Sequence, residues 1–477
     1  MIRHWKMALY WKLPVFIQEA GLAFYARKLE KLYYGSGYEA HRQWLQTWKT
    51  WSRADIVSYQ NHRLREIVQL AGMHVPYYRQ KWESAFWRNV NSAADLPLLP
   101  RLEKQELRRH EGAFLVEGLD TRSLWVEKTS GSTGTSIRVY WPMAMVPKWW
   151  AMTEVTVRNV AGVGQNIPRA MMGGRPIVPG ASQAGPYWRY NRHWRQLYLS
   201  SYHVSKKTAP GYAEAIRTYG SEWITGYPSA IGALAEGAVD ANVTPVKLTT
   251  AIVSGDTLTA SMRTSIEQFF QCKCFDSYGQ CEGVCVAMEC PCGRMHVVSS
   301  VGILEILRED GSPCLPGEIG EMVATGLMNE AMPLVRYRLG DMAAWSTETQ
   351  CPCGSAEPII ESIEGRMDDY LITEDGRHIG RLSTATKRSP SIHSAQIVQD
   401  RPGHAFLLVR PSDGYRTTDA QAVREDILER IGDFNIDIVE VPEIPRTAQG
   451  KTRLVVRLDE RPEVADRYAL LLSRELL

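Results

Sequence analysis

The sequence predicts a large layered α/β domain carrying a helical N-terminal extension, followed by a small mobile α+β domain. Three observations predict it. From about residue 120 to 365, short apolar runs alternate with helical stretches, the pattern of a sheet covered by helices. Residues 1–115 read as helical and are rich in Trp, Tyr, Arg and Lys. The chain changes character after the charged, turn-forming stretch Gly365-Arg366-Met367-Asp368-Asp369, and residues 395–477 read as strand, strand, helix, strand, strand. The expected domains are 1–366, with 1–115 as the extension, and 367–477.

Composition narrows the function classes. The chain has 477 residues, a formal net charge of +2 and 23% charged residues, so no strong field favours nucleic acid. No apolar run is long enough to span a bilayer. Met1 to Tyr25 is apolar and aromatic, but Lys6, Lys12, Pro14, Gln18 and Glu19 interrupt it and no small-residue cleavage site follows; it is not read as a signal peptide. Nine cysteines, an odd number gathered between Cys272 and Cys353, suggest a reducing, cytoplasmic setting with some thiols used for metal.

Taken in order, the extension is interrupted at Val75-Pro76-Tyr77-Tyr78-Arg79 and Leu96-Pro97-Leu98-Leu99-Pro100, which break it into hairpins. Its basic, aromatic first helices either pack on the next domain, the favoured reading, or lie on a membrane surface or partner. Ser123–Glu127 reads as a strand, and Ile137–Tyr140 as extended. Strands follow at 223–225, 251–253, 274–276, 302–307 and 321–324, with a helix at 230–239 and a turn at 310–313. Beyond the hinge stretch, strands are expected at 395–398, 406–409, 436–441 and 454–456, with a helix at 419–432.

Four stretches carry chemistry. Thr129-Ser130-Gly131-Ser132-Thr133-Gly134-Thr135-Ser136 is nearly all hydroxyl, glycine and backbone, suited to surrounding a triphosphate, although such runs are also solvated turns. It lacks the P-loop lysine pattern. Tyr278-Gly279-Gln280-Cys281-Glu282 offers a flat ring to a purine and a carboxylate to magnesium. Arg336-Tyr337-Arg338-Leu339-Gly340-Asp341 places an Asp after a tight turn at a strand end, where it could take two ribose hydroxyls or an internal Arg. Pro445-Arg446-Thr447-Ala448-Gln449-Gly450-Lys451 presents a Lys on a glycine turn.

In this order the stretches resemble the adenylate-forming superfamily of acyl-CoA synthetases and luciferase. The likeness is to its phenylacetate-CoA ligase branch and its CapK-like and coenzyme F390 synthetase-like members, and runs from Val75 to Lys451. The resemblance implies that Ser130 to Thr135 wrap the β- and γ-phosphates of ATP, with Thr129 opening the loop and Thr133 among the catalytic residues. It implies that Ser254-Gly255-Asp256 and Tyr278-Gly279 line the adenine, with Tyr278 stacking. Glu282 would help hold magnesium, Asp341 the ribose, with Arg366 nearby. Asp368 would be the hinge, and Lys451 would contact carboxylate and phosphate during adenylation. Two departures stand out: Thr135 where many relatives carry Lys, and Cys281 in place of the usual Ser or Thr beside Glu282.

Cys290-Pro291-Cys292-Gly293 and Cys351-Pro352-Cys353-Gly354 are near-identical knuckles, with His296 after the first. Paired thiolates beside Gly and Pro turns can clasp a tetrahedral, structural zinc ion. Five ligands compete for four places. The resemblance favours Cys290, His296, Cys351 and Cys353; a site using Cys292 instead of His296 stays open.

The reaction implied is ATP-dependent formation of acyl-AMP with release of pyrophosphate, then acyl transfer to coenzyme A or to an amine, in a polysaccharide or secondary-metabolite pathway. An aromatic-acid CoA ligase and a non-catalytic nucleotide-binding protein are the alternatives. The acyl pocket is expected around Trp188 to Tyr202 and Tyr227-Pro228-Ser229.

Overall fold

The computed structural model describes residues 9–128, 137–179, 182, 184–255, 258, 260–364, 370–379, 382, 392–411, 414–442, 444–445, 454–459 and 462–475. The N-terminal region forms helices α1 (Val15–Tyr33), α2 (Tyr38–Trp48), α3 (Arg53–His74), α4 (Pro76–Lys81) and α5 (Ser84–Trp87). Ser52 opens α3 with a capping box: its Oγ accepts from the Asp55 N–H at 3.2 Å, and Asp55 Oδ2 accepts from the Ser52 N–H at 2.9 Å. Leu64, Ile67, Val68 and Ala71 form one buried face of α3 in the main core. The helix stops at Val75 because the following proline disfavours helical backbone there. Pro76 then opens α4 at its first turn, where a missing N–H costs nothing, so the expected break holds but the chain resumes as helix.

A twelve-stranded sheet runs through the molecule in the order β11-β12-β13-β14-β10-β9-β8-β7-β6-β3-β5-β4. Its parallel part is β5 (Gln196–Ser200), β3 (Arg169–Gly173), β6 (Trp223–Gly226), β7 (Thr250–Ser254) and β8 (Lys273–Gly279). β4 (Trp188–Asn191) closes one edge antiparallel. From β8 onward every neighbour is antiparallel: β9 (Val286–Glu289), β10 (Met295–Val297), β14 (Ile359–Glu364), β13 (Tyr337–Trp345), β12 (Ile319–Gly326) and β11 (Gly302–Leu307). Helices α8 (Ala209–Thr218), α9 (Pro228–Asp240) and α10 (Ala260–Phe270) share a buried cluster with the parallel strands. The expected layered α/β class is therefore what the chain forms. A separate ribbon pairs β1 (Leu124–Lys128) with β2 (Arg138–Pro142), Lys128 opposite Arg138.

Towards the C-terminus, β19 (Asn435–Glu440), β18 (His404–Pro411), β17 (Ile392–Arg401) and β20 (Val455–Arg457) form a second sheet, with α11 (Thr417–Ile431) on one face. A further helix, α12 (Pro462–Glu475), packs Tyr468 and Leu472 against Val398 and Leu408; the strand pattern alone did not anticipate it. This unit rests on the large sheet at Tyr202, which shares a core with Leu371 and Ile379 and whose carbonyl accepts from Arg377 Nη1 at 3.0 Å.

Candidate functional site

The parallel strands end together. In open α/β sheets ligands bind beyond the carboxyl ends of such strands, and here those ends are Gly226, Ser254 and Gly279. Gly226 is required: at φ +151° any Cβ would run into the Met172 carbonyl. β7 and β8 are in register with Ser254 opposite Ser277, so Ser254-Gly255 lies alongside Tyr278-Gly279. The Ser277 hydroxyl donates to the Val253 carbonyl at 3.1 Å and fixes that pairing.

β8 is also where parallel pairing gives way to antiparallel, and across this seam the structure joins two expected nucleotide residues. The Tyr278 hydroxyl donates to Asp341 Oδ2 at 2.7 Å. Burial, and then the Asp341 carboxylate, raise the Tyr278 phenol well above its ordinary pKa, so it stays a donor. Asp341 does not follow a strand end, as its sequence context suggests. It sits inside the nine-residue β13, just after Gly340 at φ +79°. There the register of β12 against β13 shifts between Glu321 and Val323. This bulge, accessible to glycine, re-aims the carboxylate toward β8. The arginines of the same stretch go elsewhere: Arg336 pairs with Glu305 at 2.9 Å and Arg338 with Glu321 at 2.6 Å.

Glu282, only 4% exposed, has protein partners. Its Oε1 accepts from the Tyr337 hydroxyl at 2.8 Å and lies 3.4 Å from Lys104 Nζ. Among the described residues both contacts fall on Oε1. Lys104 opens α6 (Lys104–Arg109) and reaches Glu282 because Leu102 bridges Tyr337 in parallel register. Thr129 to Thr135, Asp256, Arg366, Asp368 and Lys451 lie outside the described residues.

The two cysteine knuckles converge. Cys290, His296, Cys351 and Cys353 place their ligand atoms within 4.8 Å of one another. Each knuckle is the same turn: the Gly293 N–H donates to the Cys290 carbonyl at 2.9 Å and the Gly354 N–H to Cys351 at 3.0 Å. Both glycines need positive φ, +78° and +80°. The Cys290 and Cys351 sulfurs are 3.6 Å apart, and Cys353 Sγ is 3.5 Å from His296 Nε2. A tetrahedral zinc with ordinary bond lengths separates two sulfurs by about 3.8 Å and a sulfur from a nitrogen by about 3.5 Å, so the donor set fits that ion. His296 Nδ1 donates to the Glu357 carbonyl at 3.2 Å, which leaves Nε2 bare for a metal. Burial lowers the His296 pKa and favours that neutral ring. Burial opposes ionisation of Cys351, but the Cys353 N–H and neighbouring thiols outweigh it and lower its pKa. Cys292 is exposed and outside the four-residue cluster. The Glu357 carboxylate ties the knuckles to the helical region, accepting from Trp48 Nε1 at 2.8 Å.

The chain is similar to several known proteins. A family model for the CapK C-terminal domain matches residues 371–458. Over 413 residues the chain is 25% identical to CapK of Staphylococcus aureus, spanning 84% of this chain and 89% of that one. It is 28% identical over 345 residues to a phenylacetate-coenzyme A ligase of Thermus thermophilus, 68% of this chain and 73% of that one. The chain is a homologue of CapK and the phenylacetate-CoA ligases. Among solved structures, 2-hydroxyisobutyryl-CoA ligase with 2-HIB-AMP and CoA superposes with a TM-score of 0.56 at 18% identity, covering 86% of this chain and 93% of that one. The same ligase in its postadenylation state with R3-HIB-AMP gives 0.53 at 19% identity, covering 89% and 94%. At these identities the likeness speaks for the fold.

Sequence reasoning missed two residues of this CapK homologue's site. Tyr337 stood inside a stretch singled out for Asp341, but its alternation with Arg338 gave no hint that it faces Glu282. Lys104, between Glu103 and Gln105, looks like any surface charge at a helix start. The expected acyl-pocket aromatics are partly core: Tyr202 is buried, and Tyr190 stacks on Tyr219 at 4.6 Å between ring centroids.

Proposed function

We propose that this chain activates a carboxylic acid with ATP and passes the acyl group to a thiol or amine. The carboxylate attacks the α-phosphorus, the bond to pyrophosphate breaks, and acyl-AMP forms; the acceptor then attacks the acyl carbon and AMP leaves. The observation that carries this reading is the Tyr278–Asp341 contact at the seam of the sheet. It sets a ring and a carboxylate side by side at the end of β8, an arrangement suited to a nucleoside. In this reading Ser254, Gly255, Asp256 and Gly279 line the base, and Arg366 lies by the ribose. Glu282 would hold magnesium, which neutralises phosphate charge when bound. Thr129 to Thr135 surround the phosphates, and Lys451 meets the reacting carboxylate.

Residues 1–366 then form the adenylation domain and 367–477 the lid that turns about Asp368. Cys290, His296, Cys351 and Cys353 hold a structural zinc, a closed clasp with no catalytic position. Relatives named as CoA ligases support coenzyme A as acceptor, with an amine as the alternative. ATP–pyrophosphate exchange across a panel of carboxylic acids tests the first step. Acid-dependent exchange is expected; exchange with no acid of the panel, alongside measurable ATP binding, would leave the nucleotide-binding reading in place. Product analysis with hydroxylamine and with coenzyme A then separates the acceptors.

A further inference from the structure

Helix α1 has apolar residues on both faces. One face meets the edge strand β4: Gln18 Oε1 accepts from Arg189 Nε at 2.7 Å, and Glu19 Oε1 from the Tyr190 N–H at 2.8 Å. Glu30 pairs with His193 Nε2 at 2.6 Å. The helix thus covers a sheet edge that would otherwise be open. Its other face is apolar as well. Leu13, Phe16, Ile17, Ala20 and Phe24 recur at helical spacing, and all are exposed, Phe16 by 71% and Phe24 by 75%. An exposed apolar helix face of this kind marks an interaction surface.

Charge says what covers this face. Lys12, Arg27, Lys28 and Lys31 are exposed at its two ends, whereas the helix's acids, Glu19 and Glu30, are engaged by the sheet edge. An aromatic stripe bounded by cations, with the anions turned to the protein, matches the chemistry of an anionic lipid surface. Among the described residues no helix is long and apolar enough to cross a membrane, so the helix would lie in the interface and not span it. We propose that the outer face of α1 seats this protein on anionic phospholipid, with Phe16 and Phe24 entering the acyl boundary and Arg27, Lys28 and Lys31 meeting phosphate headgroups. This surface is independent of the ligase reading.

The test is co-sedimentation of the full chain with phosphatidylcholine vesicles, with and without about 30% phosphatidylglycerol, at about 0.1 M salt. Wild-type protein is expected to pellet with the anionic vesicles and to remain in solution with neutral ones. The pair Phe16→Ser and Phe24→Ser should weaken binding at least about tenfold. The pair Arg27→Gln and Lys28→Gln should abolish the preference for anionic lipid. Both pairs alter exposed side chains, and unchanged circular dichroism and thermal midpoint confirm that they fold. Wild-type protein left in solution with anionic vesicles overturns the proposal. So does equal binding to both vesicle types, or a dimer in light scattering that Phe16→Ser and Phe24→Ser dissociate while no vesicle binds.

Discussion

The knuckle cluster and the Tyr278–Asp341 seam lie in the same twelve-stranded sheet, yet they are prepared differently. At the knuckles, identical turns bring three thiols and a bare imidazole nitrogen to the separations a tetrahedral ion needs, and the surrounding bonds orient ligands without occupying them. At the seam the polar groups already bond one another: Tyr278 with Asp341, Glu282 with Tyr337 and Lys104. A site that holds one ion permanently gains from rigid, waiting donors. A site that takes up and releases a substrate must keep its charges satisfied between turnovers, because an unpaired buried carboxylate costs several kcal/mol.

Four measurements would break or sharpen this contrast. The largest effect is expected from Lys451→Ala, which should slow acid-dependent ATP–pyrophosphate exchange by about 10²–10³-fold while ATP binding stays measurable. Unchanged exchange would remove Lys451 from the chemistry. Asp341→Asn replaces the carboxylate at the seam with an amide and should weaken ATP binding by about 10–100-fold in titration calorimetry. Wild-type affinity in that variant would mean the Tyr278–Asp341 bond is structural only.

Cys351→Ser should lose the metal and lower the thermal midpoint by about 5 °C or more, and a chelator should do the same to the wild type with no added effect on the variant. Near one zinc per chain is expected in the purified protein; a fully folded sample free of metal contradicts the clasp.

The smallest effect concerns Asp276, on β8 between the two regions. Burial, and then the nearby Glu289, raise its pKa from the ordinary 3.8 to about 6. Between those values the folded chain holds a proton that the unfolded chain has released, so this residue's stabilising protonation is lost as pH rises from about 4 to 6. Asp276→Asn cannot ionise, and its thermal midpoint should exceed the wild type's by about 2 °C above pH 6, with the gain vanishing toward pH 4. A pH-independent difference would show that the Asp276 carboxyl does not titrate as its burial implies.

Much of the fold was legible because local chemistry dictated it. The strand at Gly302–Leu307 emerged with the bounds its pattern suggests, and the helix expected at 230–239 is α9, extended to Pro228–Asp240. The largely buried parallel strands β3 and β5 were missed. So was β14, which pairs on one side with β10, about sixty residues earlier in the chain. Asp341 was found but misplaced, since a bulge depends on the partner strand as much as on its own glycine.

The sequence by itself determined the order of the motifs, the repeated Cys-Pro-Cys-Gly turns and the change of character near Asp368, because turn chemistry and side-chain type act over a few residues. Tertiary structure alone decided that His296 and not Cys292 joins the three-thiol cluster, that Lys104 and Tyr337 answer Glu282, and that α1 leaves Phe16 and Phe24 in solvent. Those outcomes depend on which distant strands become neighbours and which face of a helix finds a partner. No local pattern carries that information.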